Sequence, residues 1–247
     1  MSRPQVSVQL YSVREHLSLD LNLTLEKLSR LGFSVGEPFG LPSEASRLKK
    51  ALSECGLTAP TAHASVLDNP SAAVDAALEL GTTLLIDPYQ PESFFKSRSE
   101  LSRLADQLSA AAQVGLAHGV SIGYHNHDHE IRNEIDGVPA LVALAAETDP
   151  TVLFEVDLFW CEQAGTNPLE IIESLKGRVP AMHAKDAPRG AGVSGQVPLG
   201  QGAVRLLPSI ASEPDARIVI EFDQYSGDLF EAIGQSLEFL RQNGVHA

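Results

Sequence analysis

The sequence predicts a single (β/α)8 barrel of the α/β class. Strand-like runs and helix-periodic segments alternate without interruption along the chain, and eight such pairs fit within 247 residues, the size such a barrel needs. Ionisable residues gather at the same, C-terminal, end of successive strand runs. No linker or low-complexity tract divides the chain, so one domain spanning 1–247 is expected.

The elements follow in order. The first strand run, 6–10, leads to a helical pattern at 21–31 that Gly32 can stop; the second, 34–37, leads to 43–55 and Gly56. The third, 58–63, precedes a helix at 72–80 that Asn69 and Pro70 open and Gly81 closes. The fourth, 83–87, is followed by 101–118 and Gly119. The remaining pairs are 120–125 with 138–146, 152–157 with 168–176, 179–185 with 203–211, and 217–222 with 229–241; Asn167 before Pro168 is again a cap and first-turn pair. Glycine past a helix supplies the left-handed residue that ends it, while Asn before Pro satisfies the first turn. A doubly wound open sheet is the alternative. It would carry a glycine-rich phosphate loop after the first strand, and Gln9-Leu10-Tyr11-Ser12 stands there instead.

Composition bounds the partners. Eighteen Lys and Arg against 32 Asp and Glu give a formal charge of −14, which argues against nucleic acid and against anionic membrane surfaces. Cys55 and Cys161 form no metal or disulfide motif. No signal-like core opens the chain and no apolar run approaches the ~20 residues of a span. A reduced, soluble, cytoplasmic protein is the expectation.

In a barrel the chemistry lies where the strands end. Strand two ends in Glu37, three in His63, four in Asp87, five in Tyr124-His125-Asn126-His127, six in Asp157, seven in His183 and Lys185, and eight in Glu221 and Asp223. Alternation puts Glu155 with Asp157, His183 with Lys185, and Glu221 with Asp223 on shared faces. Buried carboxylates need a cation or a pairing partner. Asp157, His183 and Glu221 converging there suit a divalent ion such as Mn2+, Mg2+, Co2+ or Zn2+. His125, His127 and His129 would share a face if strand five continued through them; one of these or a nearby carboxylate is the strand-five ligand.

These segments resemble the sugar phosphate isomerase/epimerase family of xylose isomerase-like TIM barrels, in the AP endonuclease 2-type superfamily. The resemblance covers nearly the whole chain. It rests on Gln9-Leu10-Tyr11-Ser12-Val13-Arg14, Tyr124-His125-Asn126-His127-Asp128-His129-Glu130, Phe154-Glu155-Val156-Asp157-Leu158-Phe159-Trp160, Gly177 through Asp186, and Ile220-Glu221-Phe222-Asp223. It implies one divalent metal ion, Mn2+ first among the candidates, held by Glu, Asp, His and Glu. Asp157, His183 and Glu221 match three of these. The related epimerases carry the first Glu near Tyr124 or His125; the nearest carboxylate here is Glu130, taken as the fourth ligand, with His125 or His127 as replacements. Relatives often have Glu where Gln201 stands, which leaves this loop without that acid.

The implied reaction removes a proton beside the carbonyl of a ketose or keto-sugar, phosphorylated or not, and passes through an enediolate. Glu221 and Glu130 are the implied base and acid, and Lys185 would neutralise a substrate oxygen. Glu37, His63, His125, His127 and Trp160 would bind the sugar, although Glu37 could instead pair with an arginine and Trp160 could lie between helix and barrel. A lyase of inosose dehydratase or 3-keto-glycoside-cleaving type, and a non-catalytic sugar-binding barrel, are the alternatives. The DNA-repair endonucleases of this fold need three metals and a basic face, which the charge excludes. Barrel helices offer many interfaces, so a homo-oligomer is open to the chain.

Overall fold

In the computed structural model, described for residues 6–175 and 177–245, eight short strands run parallel. They are β1 (Val6–Gln9), β2 (Gly36–Glu37), β3 (Thr61–His63), β4 (Leu84–Asp87), β5 (Ser121–His125), β6 (Leu153–Asp157), β7 (Ala181–Ala184) and β8 (Arg217–Ile220). Their order around the sheet is β2-β1-β8-β7-β6-β5-β4-β3. The ends of that sheet meet, because Gly36 N donates to Thr58 O at 2.9 Å and His63 N to Pro38 O at 2.7 Å. The result is the expected barrel. All eight expected strands are present, shorter than their sequence runs because the ends turn into loops that carry polar side chains.

Every strand residue has two destinations. On β1, Val6 and Val8 join the large apolar layer between strands and helices, while Gln9 reaches inward to Glu37. Inside the barrel Leu84, Ile86 and Ala181 form a small separate apolar cluster with Leu153 packed on it. This plug fills the interior below the polar residues. It also explains why Asp87 stays out of the central cluster: Ile86 takes the inward position on β4, so Asp87 turns instead to Val66 N and Gln90.

The helices begin and end as their sequences dictate. Helix Leu21–Leu31 is capped by Asp20 on Leu23 N and stopped by Gly32 at φ 103°. Helix Pro70–Leu80 is capped by Asn69 and stopped by Gly81 at φ 78°. Asn167 caps Pro168–Ser174; the expected end of that helix, Lys176, lies outside the described residues. The helix expected from 138 starts at Ala140, because Val138–Pro139 pairs with Glu134–Ile135 in a hairpin. Helix Leu206–Ser212 likewise starts three residues later than 203. Among the described residues no helix is long and apolar enough to cross a membrane.

Candidate active site

The C-terminal strand ends bring two tiers of buried polar groups together. The lower tier centres on Glu37 and Glu155, both buried. Glu37 accepts from Gln9 Nε2 at 2.9 Å and from the Thr61 hydroxyl. Glu155 Oε2 lies 2.7 Å from His63 Nε2, 3.0 Å from His183 Nε2 and 3.3 Å from His125 Nδ1. The upper tier holds Asp157 and Glu221 around the Lys185 ammonium, which is 2.9 Å from Asp157 Oδ2, 2.6 Å from Glu221 Oε2 and 2.9 Å from Asp223 Oδ2. His183 joins the tiers, with Nε2 2.9 Å from Glu37 Oε1 and Nδ1 2.7 Å from Glu221 Oε2.

Two overlapping sets of ligand atoms converge within 4.8 Å: His63, His125, Glu155 and His183, and His125, Asp157, His183 and Glu221. Several of these buried atoms, His125 Nδ1, Glu155 Oε1 and Asp157 Oδ2, make no hydrogen bond, although Asp157 Oδ2 faces the Lys185 charge. Buried polar atoms are normally satisfied, so unpartnered atoms that can offer lone pairs on converging ligands fit a cation. The mixture of imidazole and carboxylate suits a borderline divalent ion.

Electrostatics separates the groups. Burial pushes Asp157 up to about 6 despite Lys185 and His183 beside it. Burial also acts against Glu221, but Lys185 and His183 hold its carboxyl well below the usual range. For His183, Glu155 and Glu221 outweigh burial and raise the imidazole well above its ordinary value. Burial, reinforced by the His183 charge, lowers His125 to about 3, keeping it neutral as ligation requires.

The expected site residues divide by position. His63, His125, His127, Lys185 and Glu221 line a cavity of about 560 Å3 at the barrel mouth, together with Tyr11, Phe39, Leu41, Pro88, Tyr89 and Asp223. Glu37 does not reach that wall, because Gln9, Thr61 and His183 hold it inside the barrel; among the described residues it pairs with no arginine. Trp160 also stays off the wall. It sits in helix Leu158–Gln163, capped by Asp157, with its ring 5.5 Å from His127 and 5.6 Å from Lys185 Nζ.

Glu130 lies outside both ligand sets. The chain turns into a short helix at His129, which directs its carboxylate to the Tyr124 hydroxyl at 2.6 Å and to His127 N at 2.8 Å. Burial raises it to about 7 against those hydrogen bonds. The same helix ends the expected alternation of histidines: His125 and His127 reach the cavity, whereas His129 bonds Gln90 O and packs on Phe95. Glu155 is the residue whose centrality the sequence understates; its signal was the shared face with Asp157. The aromatic wall had a signal too, since Tyr11, Phe39 and Tyr89 each stand two residues past Gln9, Glu37 and Asp87.

A profile of the xylose isomerase-like TIM barrel family matches residues 25–243. The sequence matches no curated protein. Among solved structures, a sugar phosphate isomerase/epimerase from Parabacteroides distasonis ATCC 8503 superposes with a TM-score of 0.84 at 20% identity, over 99% of this chain and 100% of that one. D-psicose 3-epimerase from Clostridium cellulolyticum H10, solved with D-tagatose, gives 0.72 at 15% identity over 98% and 100%. AsbF from Bacillus anthracis, a probable 3-DHS dehydratase involved in petrobactin synthesis, gives 0.75 at 13% over 96% and 98%. These likenesses share the barrel. With the profile match over most of its length, the chain belongs to the xylose isomerase-like TIM barrel family.

Proposed function

We propose that this protein is a divalent-metal-dependent enzyme that enolises a ketose or keto-sugar and thereby isomerises or epimerises it. The observation that carries the reading is the convergence of His125, Asp157, His183 and Glu221 within 4.8 Å at the floor of the mouth cavity. These four would hold the ion, His125 standing where the sequence expectation placed Glu130. When bound, a cation there supplies polarisation of the substrate carbonyl and of the charge that develops on its oxygen. Two imidazoles among four donors favour Mn2+, Co2+ or Zn2+ over Mg2+, and we take Mn2+ as the working ion.

The chain's own groups supply the proton traffic. Glu221 lines the cavity and is kept ionised by Lys185 and His183, which suits it to remove the proton beside the carbonyl. His127 also lines the cavity, and burial lowers its imidazole to about 2, so it stands neutral there and would hold a substrate hydroxyl. Lys185 orients both carboxylates. Glu130 acts on this site through His127, whose backbone N–H it accepts.

The likeness to a probable dehydratase supports a second reading, elimination from the same enediolate. Incubating the Mn2+-loaded protein with a panel of ketoses and 3-keto-glucosides in deuterated water separates the two by NMR. Solvent deuterium in recovered substrate and its isomer is expected. Loss of the β-substituent instead would establish the lyase. Neither outcome with any member of the panel would contradict enolisation.

A further inference from the structure

The cavity wall carries a statement about substrate charge. Among the described residues that line it, Lys185 is the one lysine or arginine. An ammonium has three N–H donors, and this one faces three carboxylates: Asp157 at 2.9 Å, Glu221 at 2.6 Å and Asp223 at 2.9 Å. No donor is left to meet a phosphate, and two of those carboxylates, Glu221 and Asp223, themselves line the cavity.

The Arg14 guanidinium, beside Tyr11 of the wall, is committed elsewhere. It lies over the Tyr11 ring at 4.2 Å, donates to Tyr11 O at 2.9 Å and to Asp223 O at 3.1 Å, and is not among the residues that line the cavity. Arg132 pairs with Asp128 and Arg205 with Glu162. Beside His63, His125, His127 and Ser65 the wall presents an aromatic and aliphatic face: Tyr11 and Phe39 in edge contact at 5.3 Å, then Leu41, Pro88 and Tyr89. That face receives the C–H face of a sugar ring, and the wall offers a dianion no uncommitted lysine or arginine in return for its hydration.

We infer that the cavity takes an uncharged polyhydroxy substrate and discriminates against the phosphate ester of the same carbon skeleton. This rests on the enolising reading for the chemistry, but its recognition argument is independent of it. The charge difference between the two ligands acts against Glu221 and Asp223 at short range, so the ester is expected to bind at least about tenfold more weakly at low salt.

The test uses the unreactive pair D-glucitol and D-glucitol 6-phosphate, titrated into the full chain with Mn2+ and followed by saturation-transfer NMR and calorimetry. The free polyol is expected to bind more tightly, with the difference shrinking as salt is raised. Tyr89→Arg, which places a cation on the exposed rim of the wall, is expected to raise affinity for the ester relative to that for glucitol about tenfold. Equal or tighter binding of the ester by the unaltered chain overturns the inference, as does failure of both ligands to bind. Preferential binding of glucitol without deuterium exchange on any ketose supports the charge inference while contradicting enolisation, so the two failures are distinguishable.

Discussion

The Lys185 ammonium lies 2.6 Å from Glu221 Oε2, the shortest of the three carboxylate contacts that fix it at the barrel mouth. Both partners are buried, so neither charge has water to replace the other. Breaking one side of a buried pair leaves an uncompensated charge, at about 3–5 kcal/mol. Lys185→Met is expected to lower unfolding stability by that amount at pH 7.5, measured by urea denaturation. A loss below about 1 kcal/mol would mean that Asp157 and Glu221 do not depend on Lys185 for their charge.

Asp87 gives a pH signature away from this cluster. Its oxygens accept from Val66 N at 3.1 Å and Gln90 Nε2 at 2.9 Å, yet burial raises the carboxyl from 3.8 to about 6. A folded value above the unfolded one contributes stability that is complete below about pH 3.8 and is lost as the pH rises through about 6. Asp87→Asn removes the charge and keeps one acceptor. It should be more stable than the parent by about 1–2 kcal/mol at pH 7.5, with the advantage vanishing toward pH 4. Denaturation at a series of pH values checks both sign and window. Equal stability across the series would contradict a raised carboxyl.

Asp186, next to Lys185, organises the loop after β7. Its Oδ1 accepts from Ala187 N at 3.0 Å and Val204 N at 3.1 Å, and its Oδ2 from Gly200 N at 2.9 Å and Gly202 N at 3.0 Å. Gly202 is required there, since a Cβ would fall 2.1 Å from Asp186 Oδ1. From the same loop, Gln196 accepts from Asp223 N at 2.7 Å and donates to Asp223 Oδ2 at 3.0 Å, so the loop steadies one of the three Lys185 partners. Asp186→Ala is expected to cost about 2–4 kcal/mol, given charge-assisted bonds of this kind. Hydrogen exchange should show the Gly200, Gly202 and Val204 amides losing protection first. Unchanged protection at those amides would contradict the assignment.

The barrel itself was legible because its rules are local: alternating strand and helix patterns, caps at Asn69 and Asn167, and stops at Gly32 and Gly81. Asp157, His183, Lys185 and Glu221 were legible because period-two alternation fixes which side chains face inward. Glu130 falls outside the converging ligand sets, which the sequence does not foreshadow because it does not show where β5 ends. Once the backbone turns into helix at His129, strand alternation no longer applies, and the carboxylate swings to Tyr124. Glu37 was expected to bind the sugar or to pair with an arginine, whereas Gln9, Thr61 and His183 approach it from three other strands, a convergence visible only after barrel closure.

The most direct test of the proposed centre is calorimetric titration of Mn2+ and Co2+ into the chelator-treated full chain, alongside Asp157→Asn, Glu221→Gln and Glu130→Gln. The account predicts one ion per chain. Affinity should fall by at least about a hundredfold in the Asp157 and Glu221 variants, as expected when a ligand is lost, and by less than about threefold in the Glu130 variant. No binding by the unaltered chain, or binding that only Glu130→Gln abolishes, would contradict it.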